Sequence, residues 1–496
     1  MRRFLTGKTA WCVHEHVRSG LLIDVQDYYR AFYVAASRAR RSILLLGWQF
    51  DSDVRLLRGD DVPPGRDPKD YELLTLLDRL SRERPELEVK MLAWDHSVFF
   101  TFEREVLQKI VFDLSTVDRL QFRTDGTVPL GGSHHQKVAI IDGQVAFMGS
   151  ADICQDRWDT SAHVAHDPRR VSRNDLPNKP YHEVQAVFGD EAARVFVDLF
   201  VERWHFATGT RLDRDELIAP ESADLFASIP VTLPMPLAPV GFSRTVPAAD
   251  ERSHVHEIRD LYVRAIHRAE QMIYIETQYF TSQCVRDALV ARMNDVSRSR
   301  LDVVLVLPQK PENLKEELTI AAPQADVLTD VVAAARENGH ALGVYDVAVP
   351  DPDGTTPDAF VYIHAKLMIV DDVFFTMGSA NLANRSMTVD SEINATWVAE
   401  PGDHVVHAAI RRARVRLLLE HLGDAPRGVR VVAARRGLVA RLDRVAREGK
   451  GRLRHHDLHR ELQGAIAKAV SDLANDYVDP TDGIEPLPPP SASSAW

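Results

Sequence analysis

One pattern, His-x-Lys-x4-Asp-x6-Gly-Ser, occurs twice in this chain and limits its possible folds more than any other feature. The first copy carries His135, Lys137, Asp142, Gly149 and Ser150; the second carries His364, Lys366, Asp371, Gly378 and Ser379. With 20 His and 60 Lys plus Arg in the sequence, a single His-x-Lys-x4-Asp is within reach of chance. Two copies with the same Gly-Ser extension are a duplication. Each copy runs from a polar approach through a short apolar stretch (138–141 and 367–370) to an acidic turn and a second apolar stretch, which reads as strand, turn, strand. His and Lys two residues apart on a strand project to one face. That face sets an imidazole beside an ammonium, a pairing suited to an oxygen-rich anion such as phosphate.

The surroundings repeat as well. In the first half the periodicity predicts a helix over 25–40, strands over 42–46, 87–94 and 120–123, and helices over 71–83 and 103–111. The second half predicts helix 255–268, strand 272–276, helix 285–296, strand 301–307, a helical region to 337 and a strand at 342–345. Ile43 aligns with Ile273 at an offset of 230, and His135 with His364 at 229. The fold class is therefore α/β, a tandem duplication of two layered lobes. The expected organisation is a first domain over 1–218, a Pro-rich connector over 219–250 wrapping the surface, a second domain over 251–422, a helical region over 423–478 and a disordered tail over 479–496.

Three further stretches extend the pattern: Ala151-Asp-Ile-Cys-Gln-Asp-Arg-Trp-Asp-Thr160, Ile273-Tyr-Ile-Glu-Thr-Gln-Tyr-Phe280, and Ala380-Asn-Leu-Ala-Asn-Arg-Ser-Met387 followed by Asp390-Ser-Glu392. With the two motifs they make the chain resemble the phospholipase D superfamily, in particular its phosphatidylcholine-type branch, over roughly residues 10 to 422. The resemblance implies two phospholipase D-like sandwich domains with one active site at their interface. It also implies hydrolysis or alcohol exchange at the distal phosphodiester of a glycerophospholipid through a phosphohistidine, releasing phosphatidate and the headgroup alcohol. His135 is then the nucleophile, His364 the general acid, and Lys137 and Lys366 the clamp on the phosphoryl oxygens. Glu392, 28 residues after His364, is expected to hold that imidazole, and Glu183 to occupy the matching place after the first motif, where related lipases carry Asp. Asn381 is expected to donate to phosphate, with Asp152 at the corresponding place in the first copy. Ser150 and Ser379 either reach phosphate or serve close packing. The motif acids Asp142 and Asp371 are counted with the catalytic set, although their place at a turn suits backbone hydrogen bonding. Rival readings are a cardiolipin synthase-type phosphatidyltransferase, a nuclease of the same superfamily, and a catalytically silent lipid-binding scaffold.

Composition trims these readings. Seventy-two acidic against 60 basic residues give a net charge of −12, so no global positive field points to nucleic acid. Cys12, Cys154 and Cys284 are too scattered for a disulfide framework or a Cys-x2-Cys site, and no metal or cofactor is expected. With no leader-like apolar core and no run of 18 apolar residues, the expectation is a cytoplasmic monomer that meets a phospholipid surface transiently. The Arg-rich stretch from Arg430 through Arg435, Arg436, Arg441, Arg444, Arg447 and Arg452 to Arg454 is either a solvated face or a contact for anionic lipid. Trp94 and Trp158 read as core, and His134 points away from the motif face. Arg169 and Arg170 sit in a loop of unassigned purpose.

Overall fold

The computed structural model describes residues 4–95, 118–220, 224–249, 253–312, 314–351, 354, 357–423, 428–457 and 479. The helix expected at 103–111 lies outside them.

Two mixed sheets carry the duplication. The first orders its strands Leu233–Pro234, Ser19–Ile23, Val184–Gly189, Val145–Gly149, Val138–Ile141, Ser42–Gly47, Glu88–Trp94 and Leu120–Asp125. The second repeats seven of these positions as Ala238–Val246, Glu392–Val398, Phe374–Gly378, Leu367–Val370, Met272–Glu276, Asp302–Val306 and Ala341–Val349. In both, the last three strands are parallel and the motif hairpin runs antiparallel to the first of them. Continuous apolar runs such as Ser42–Gly47 and Met272–Glu276 are wholly buried, as strands covered on both faces require. Their alternate residues divide between cores: Ile43 and Leu45 pack under the outer helices, while Leu44 and Leu46 join a central core shared with Tyr274, Ile369 and Trp397 of the second lobe. The two sheets thus bury one common layer between them.

The domain plan needs correcting at several points. The Pro-rich connector does not simply wrap the surface: Leu233–Pro234 pairs with Ser19–Ile23 of the first sheet, and Ala238–Val246 enters the second sheet beside Glu392–Val398. The amino-terminal strand Cys12–Val17 then pairs with Ala238–Val246, so the start of the chain belongs to the second lobe's sheet. Apolar periodicity reports strands but not their partners. After the helix His404–Leu422, helices Gly428–Val432 and Leu438–Glu448 are followed by a short strand, Leu453–His455, on the edge of Ala341–Val349. Asp479, expected in a disordered tail, is 3% exposed and accepts the backbone N–H of Arg385 at 2.7 Å and the Asn384 amide at 3.2 Å.

The motif acids are structural. Asp142 has a φ of 57°, and its carboxylate accepts the backbone N–H groups of Arg40, Arg41 and Ser42 at 2.7–3.0 Å. Asp371, with φ 54°, does the same for Glu270, Gln271 and Met272 at 2.6–2.8 Å. Each pins the entry of the neighbouring parallel strand to the end of the motif strand farthest from its His, which corrects their inclusion in the catalytic set. The left-handed conformation is one that Asp tolerates and most residues do not. Asp371→Ala strands three donors, and we expect a loss of about 3 kcal/mol in denaturant unfolding, with turnover per folded molecule within about threefold of the parent. A collapse of turnover at unchanged stability would return Asp371 to the reacting centre.

Candidate active site

Each motif's polar approach leaves its own sheet and pairs with the other lobe. His134 forms a parallel bridge with Ser391, while Tyr362–Ile363 pairs in parallel with Tyr181–His182. Backbone bonds fix both crossings: His135 N–H to Ser391 O at 3.0 Å, and His364 N–H to His182 O at 2.9 Å.

The crossing exchanges the carboxylates. His135 Nδ1 lies 3.0 and 3.1 Å from the two carboxylate oxygens of Glu392, and His364 Nδ1 lies 2.9 Å from Glu183 Oε1. The expected pairing was the reverse, each His with the acid downstream in its own copy. It fails because residues 391–392 and 182–183 lead into the strands Glu392–Val398 and Val184–Gly189 at the points where the opposite lobe's His segment runs alongside. The Glu183 contact has the distance of an ion pair without the alignment of a hydrogen bond, whereas Glu392 grips His135 with both oxygens.

The Gly-Ser extension builds this support. A Cβ at Gly149 would lie 2.5 Å from Val184 O, and one at Gly378 would lie 2.2 Å from Ile393 O, so glycine lets the hairpin close on the strand that carries the acid. Ser150 Oγ donates to Val184 O and accepts from Val184 N, both at 3.1 Å; Ser379 Oγ donates to Glu392 and accepts Ile393 N–H at 3.1 Å. Both hydroxyls are committed to the strand of the neighbouring carboxylate, so the packing reading describes them and the phosphate-contact reading is corrected.

The lysines differ. Lys137 Nζ forms a 2.9 Å ion pair with Asp152, whose other oxygen accepts Trp48 N–H at 2.8 Å. Lys366 Nζ donates to the neutral amide oxygen of Gln278 at 3.1 Å and to His364 O at 2.6 Å. Asn381, opposite Asp152 in the duplication, is 5% exposed, and its Oδ1 accepts no hydrogen bond among the described residues. Burial, then the charges of Lys366, Arg157, Lys137 and His135, push the pKa of His364 well below the usual imidazole value. Lys366 is likewise lowered well below an ordinary lysine, by burial and Lys137 against the opposing pull of Glu183. Burial raises Glu183. In the second half-site, then, burial and neighbouring cations outweigh the pull of Glu183 on Lys366.

His134 faces away, as expected, with Nε2 3.0 Å from Asp125 and Nδ1 2.9 Å from Ser391 Oγ. Trp94 and Trp158 are buried. Arg170 is also buried, on Asp159 at 3.0 Å, and Arg169 pairs with Asp167, so neither is a free phosphate ligand. Arg441 and Arg452 cap backbone carbonyls, Arg435 donates to Asp371 O, and Arg454 pairs with Asp358; none of these four is a bare solvated or lipid-facing cation.

Sequence spacing missed two sets that could hold a cation and share His182, the smaller being His182, Glu276 and His421. Asp24, His163, His182 and Glu420, all buried, place one ligand atom each within 4.8 Å of the others. His163 also meets Asp159 at 2.9 Å and His182 meets Glu276 at 3.0 Å through their other ring nitrogens, as ligating imidazoles commonly do. Asp24 is pushed up to about 7 by burial and Glu420, and its Oδ2 has no hydrogen bond. These four donors come from distant segments of both lobes, which no motif scan would gather.

Comparison with known proteins places this geometry. A family model described as phospholipase D matches residues 35–288, 254 of the 496, and one described as "Cardiolipin synthase, PLD-like domain" matches 262–421. "Phospholipase D A" of Dictyostelium discoideum is 26% identical over 481 residues, covering 83% of this chain and 36% of that protein. "Phospholipase D alpha 1" of Zea mays is 25% identical, covering 81% and 65%. The chain thus spans between about a third and two thirds of the length of these relatives. The structure of a phosphatidylserine synthase from Haemophilus influenzae superposes with a TM-score of 0.53 at 12% identity, covering 93% of this chain and 94% of that one, and so shares the fold. With one family model spanning half the sequence and two copies of the His-Lys motif meeting across one interface, the chain belongs to the phospholipase D family.

Proposed function

We propose that this chain is a phospholipase D that cleaves the distal phosphodiester of a glycerophospholipid through a phosphohistidine. The observation that supports it most is the exchange of carboxylates: two imidazoles, each oriented at Nδ1 by an acid from the other lobe, leave both Nε2 atoms for substrate.

His135 Nε2 attacks phosphorus, and the bond to the headgroup oxygen breaks as His364 passes its Nε2 proton to that oxygen. Glu392, on Nδ1 of His135, stabilises the positive charge the ring gains. Neutral His364 then takes a proton from water or an alcohol, whose oxygen attacks phosphorus and releases His135. Lys137 and Lys366 bind the non-bridging oxygens, and Asn381 adds an amide donor. No step uses the Asp24 cluster. The same second half-reaction with an alcohol acceptor is phosphatidyl transfer, so hydrolysis and exchange are two outcomes of one intermediate.

The acid role demands a charged His364, yet burial and its cationic neighbours keep it neutral in the resting site. The phosphodiester supplies the missing negative charge, so the pKa of His364 and of Lys366 rises when substrate binds. For groups depressed in the free protein and raised in the complex, binding takes up protons between the two values, and affinity grows as pH falls through that window. Calorimetry with a non-hydrolysable short-chain phosphonate, in buffers of different ionisation enthalpy, is expected to show net proton uptake near neutral pH, reduced in His364→Asn. Proton release, or no linkage, would refute this account of the acid.

The two histidines are separated by their adducts. With a p-nitrophenyl phosphodiester, whose leaving group needs no proton, His364→Asn is expected to accumulate phosphohistidine on His135 after rapid quench, and His135→Asn to form none. Phosphate on His364 in the His135→Asn protein would reverse the roles while keeping the chemistry.

A further inference from the structure

Beside His364 lies a group of side chains with no part in the steps above. Tyr181 and Tyr362 stand 5.6 and 6.3 Å from the imidazole, centroid to centroid, and 5.0 Å from each other. Both ring faces already carry cations of the protein: the Arg157 guanidinium lies 4.7 Å from the Tyr181 centroid, and the Lys179 ammonium 4.0 Å from that of Tyr362. One carboxylate serves both, Glu312, at 3.6 Å from Arg157 Nη1 and 3.3 Å from Lys179 Nζ. The two cations share this carboxylate, and the Glu183 charge also acts on Arg157. Arg157 Nη1 is buried and makes no hydrogen bond among the described residues, so a guanidinium donor is held in place without an acceptor at hydrogen-bond distance.

The departing oxygen leaves beside the proton donor, so with His364 as the acid this group faces the headgroup. A quaternary ammonium would find both aromatic faces taken and two like charges within reach. A carboxylate or phosphate on the headgroup would find Arg157 Nη1 unbonded and Lys179 beside it, and an amine on the same headgroup could share Glu312. We infer that Arg157, Lys179, Glu312, Tyr181 and Tyr362 form a headgroup subsite selective for an alcohol that carries its own oxyanion, with an amino-acid headgroup such as serine the best fit and choline disfavoured. This rests on the phospholipase D reading and on His364 as proton donor.

The test compares dihexanoyl phosphatidylserine, phosphatidylglycerol and phosphatidylcholine below their critical micelle concentrations, which removes surface-charge effects. The full-length enzyme is used, and each released alcohol and the phosphatidate are measured directly. We expect kcat/KM to fall in that order, with serine over choline by about tenfold or more, the scale of one charge-assisted hydrogen bond. Arg157→Gln is expected to reduce that ratio to within about threefold of unity. Lys179→Met, at a side chain 36% exposed and tolerant of change, is expected to reduce it in the same direction. Choline preferred or equal in the parent, or a ratio unchanged in both variants, would overturn the subsite while leaving the phospholipase reading intact. Phosphatidate from none of the three lipids would overturn both.

Discussion

The proposed active site depends on one exchange: each motif imidazole meets a carboxylate from the opposite lobe, His135 by hydrogen bonds to Glu392 and His364 by an ion-pair contact with Glu183. An imidazole fixed at Nδ1 presents Nε2 in one tautomer and one direction, and neither lobe supplies that by itself. The exchange is possible because the approach to each motif leaves its own sheet as an extended segment that pairs with the other lobe, at His134 with Ser391 and at Tyr362–Ile363 with Tyr181–His182. These crossings lie over the central core shared by the two sheets, so the packing that joins the lobes also sets the distance between the two half-sites. A change that loosens that core is therefore felt at the site without touching either motif.

Much of this was legible in the sequence, for a physical reason: duplication prints the same strand, turn and glycine requirements twice. The strands at 138–141, 272–276 and 367–370 fall where the apolar runs put them. The residue types of the site, His, Lys and an orienting Glu, follow from the chemistry of phosphoryl transfer. What sequence could not supply was partnership. Within-copy and across-copy pairing of Glu183 and Glu392 satisfy the same motif, and only the crossing of His134 and Ile363 into the other lobe decides between them. The placement of Ala238–Val246 and Cys12–Val17 in the second sheet is invisible to apolar periodicity for the same reason, as is the meeting of Asp24, His163, His182 and Glu420.

Asp142 and Asp371 show a different limit. An acid that recurs with a catalytic His and Lys invites a catalytic role, yet each accepts three backbone N–H groups and anchors the strand next to the motif. Recurrence marks what the duplicated unit requires, whether for folding or for chemistry. The motif glycines belong to the same class, since any Cβ at either would collide with the strand that delivers the orienting acid.

Two identical motifs must nevertheless do two different jobs, and the difference comes from residues outside them. At an offset of 230, Trp48 in the first lobe stands where Gln278 stands in the second; Asp152 and Asn381 are related by 229. Asp152 neutralises Lys137 and is itself held by Trp48 N–H, so the His135 side is a paired, charge-balanced half-site. Gln278 and Asn381 are neutral, and burial, followed by the neighbouring cations, depresses the pKa values of both His364 and Lys366. Under the proposed mechanism an anion entering the shared space is drawn to the second half-site, where its charge raises the pKa of His364 and Lys366, while the first needs only its ring held by Glu392. On the proposed roles, it is these residues outside the motifs, Asp152 against Asn381 and Trp48 against Gln278, that set a nucleophilic side apart from an acid side.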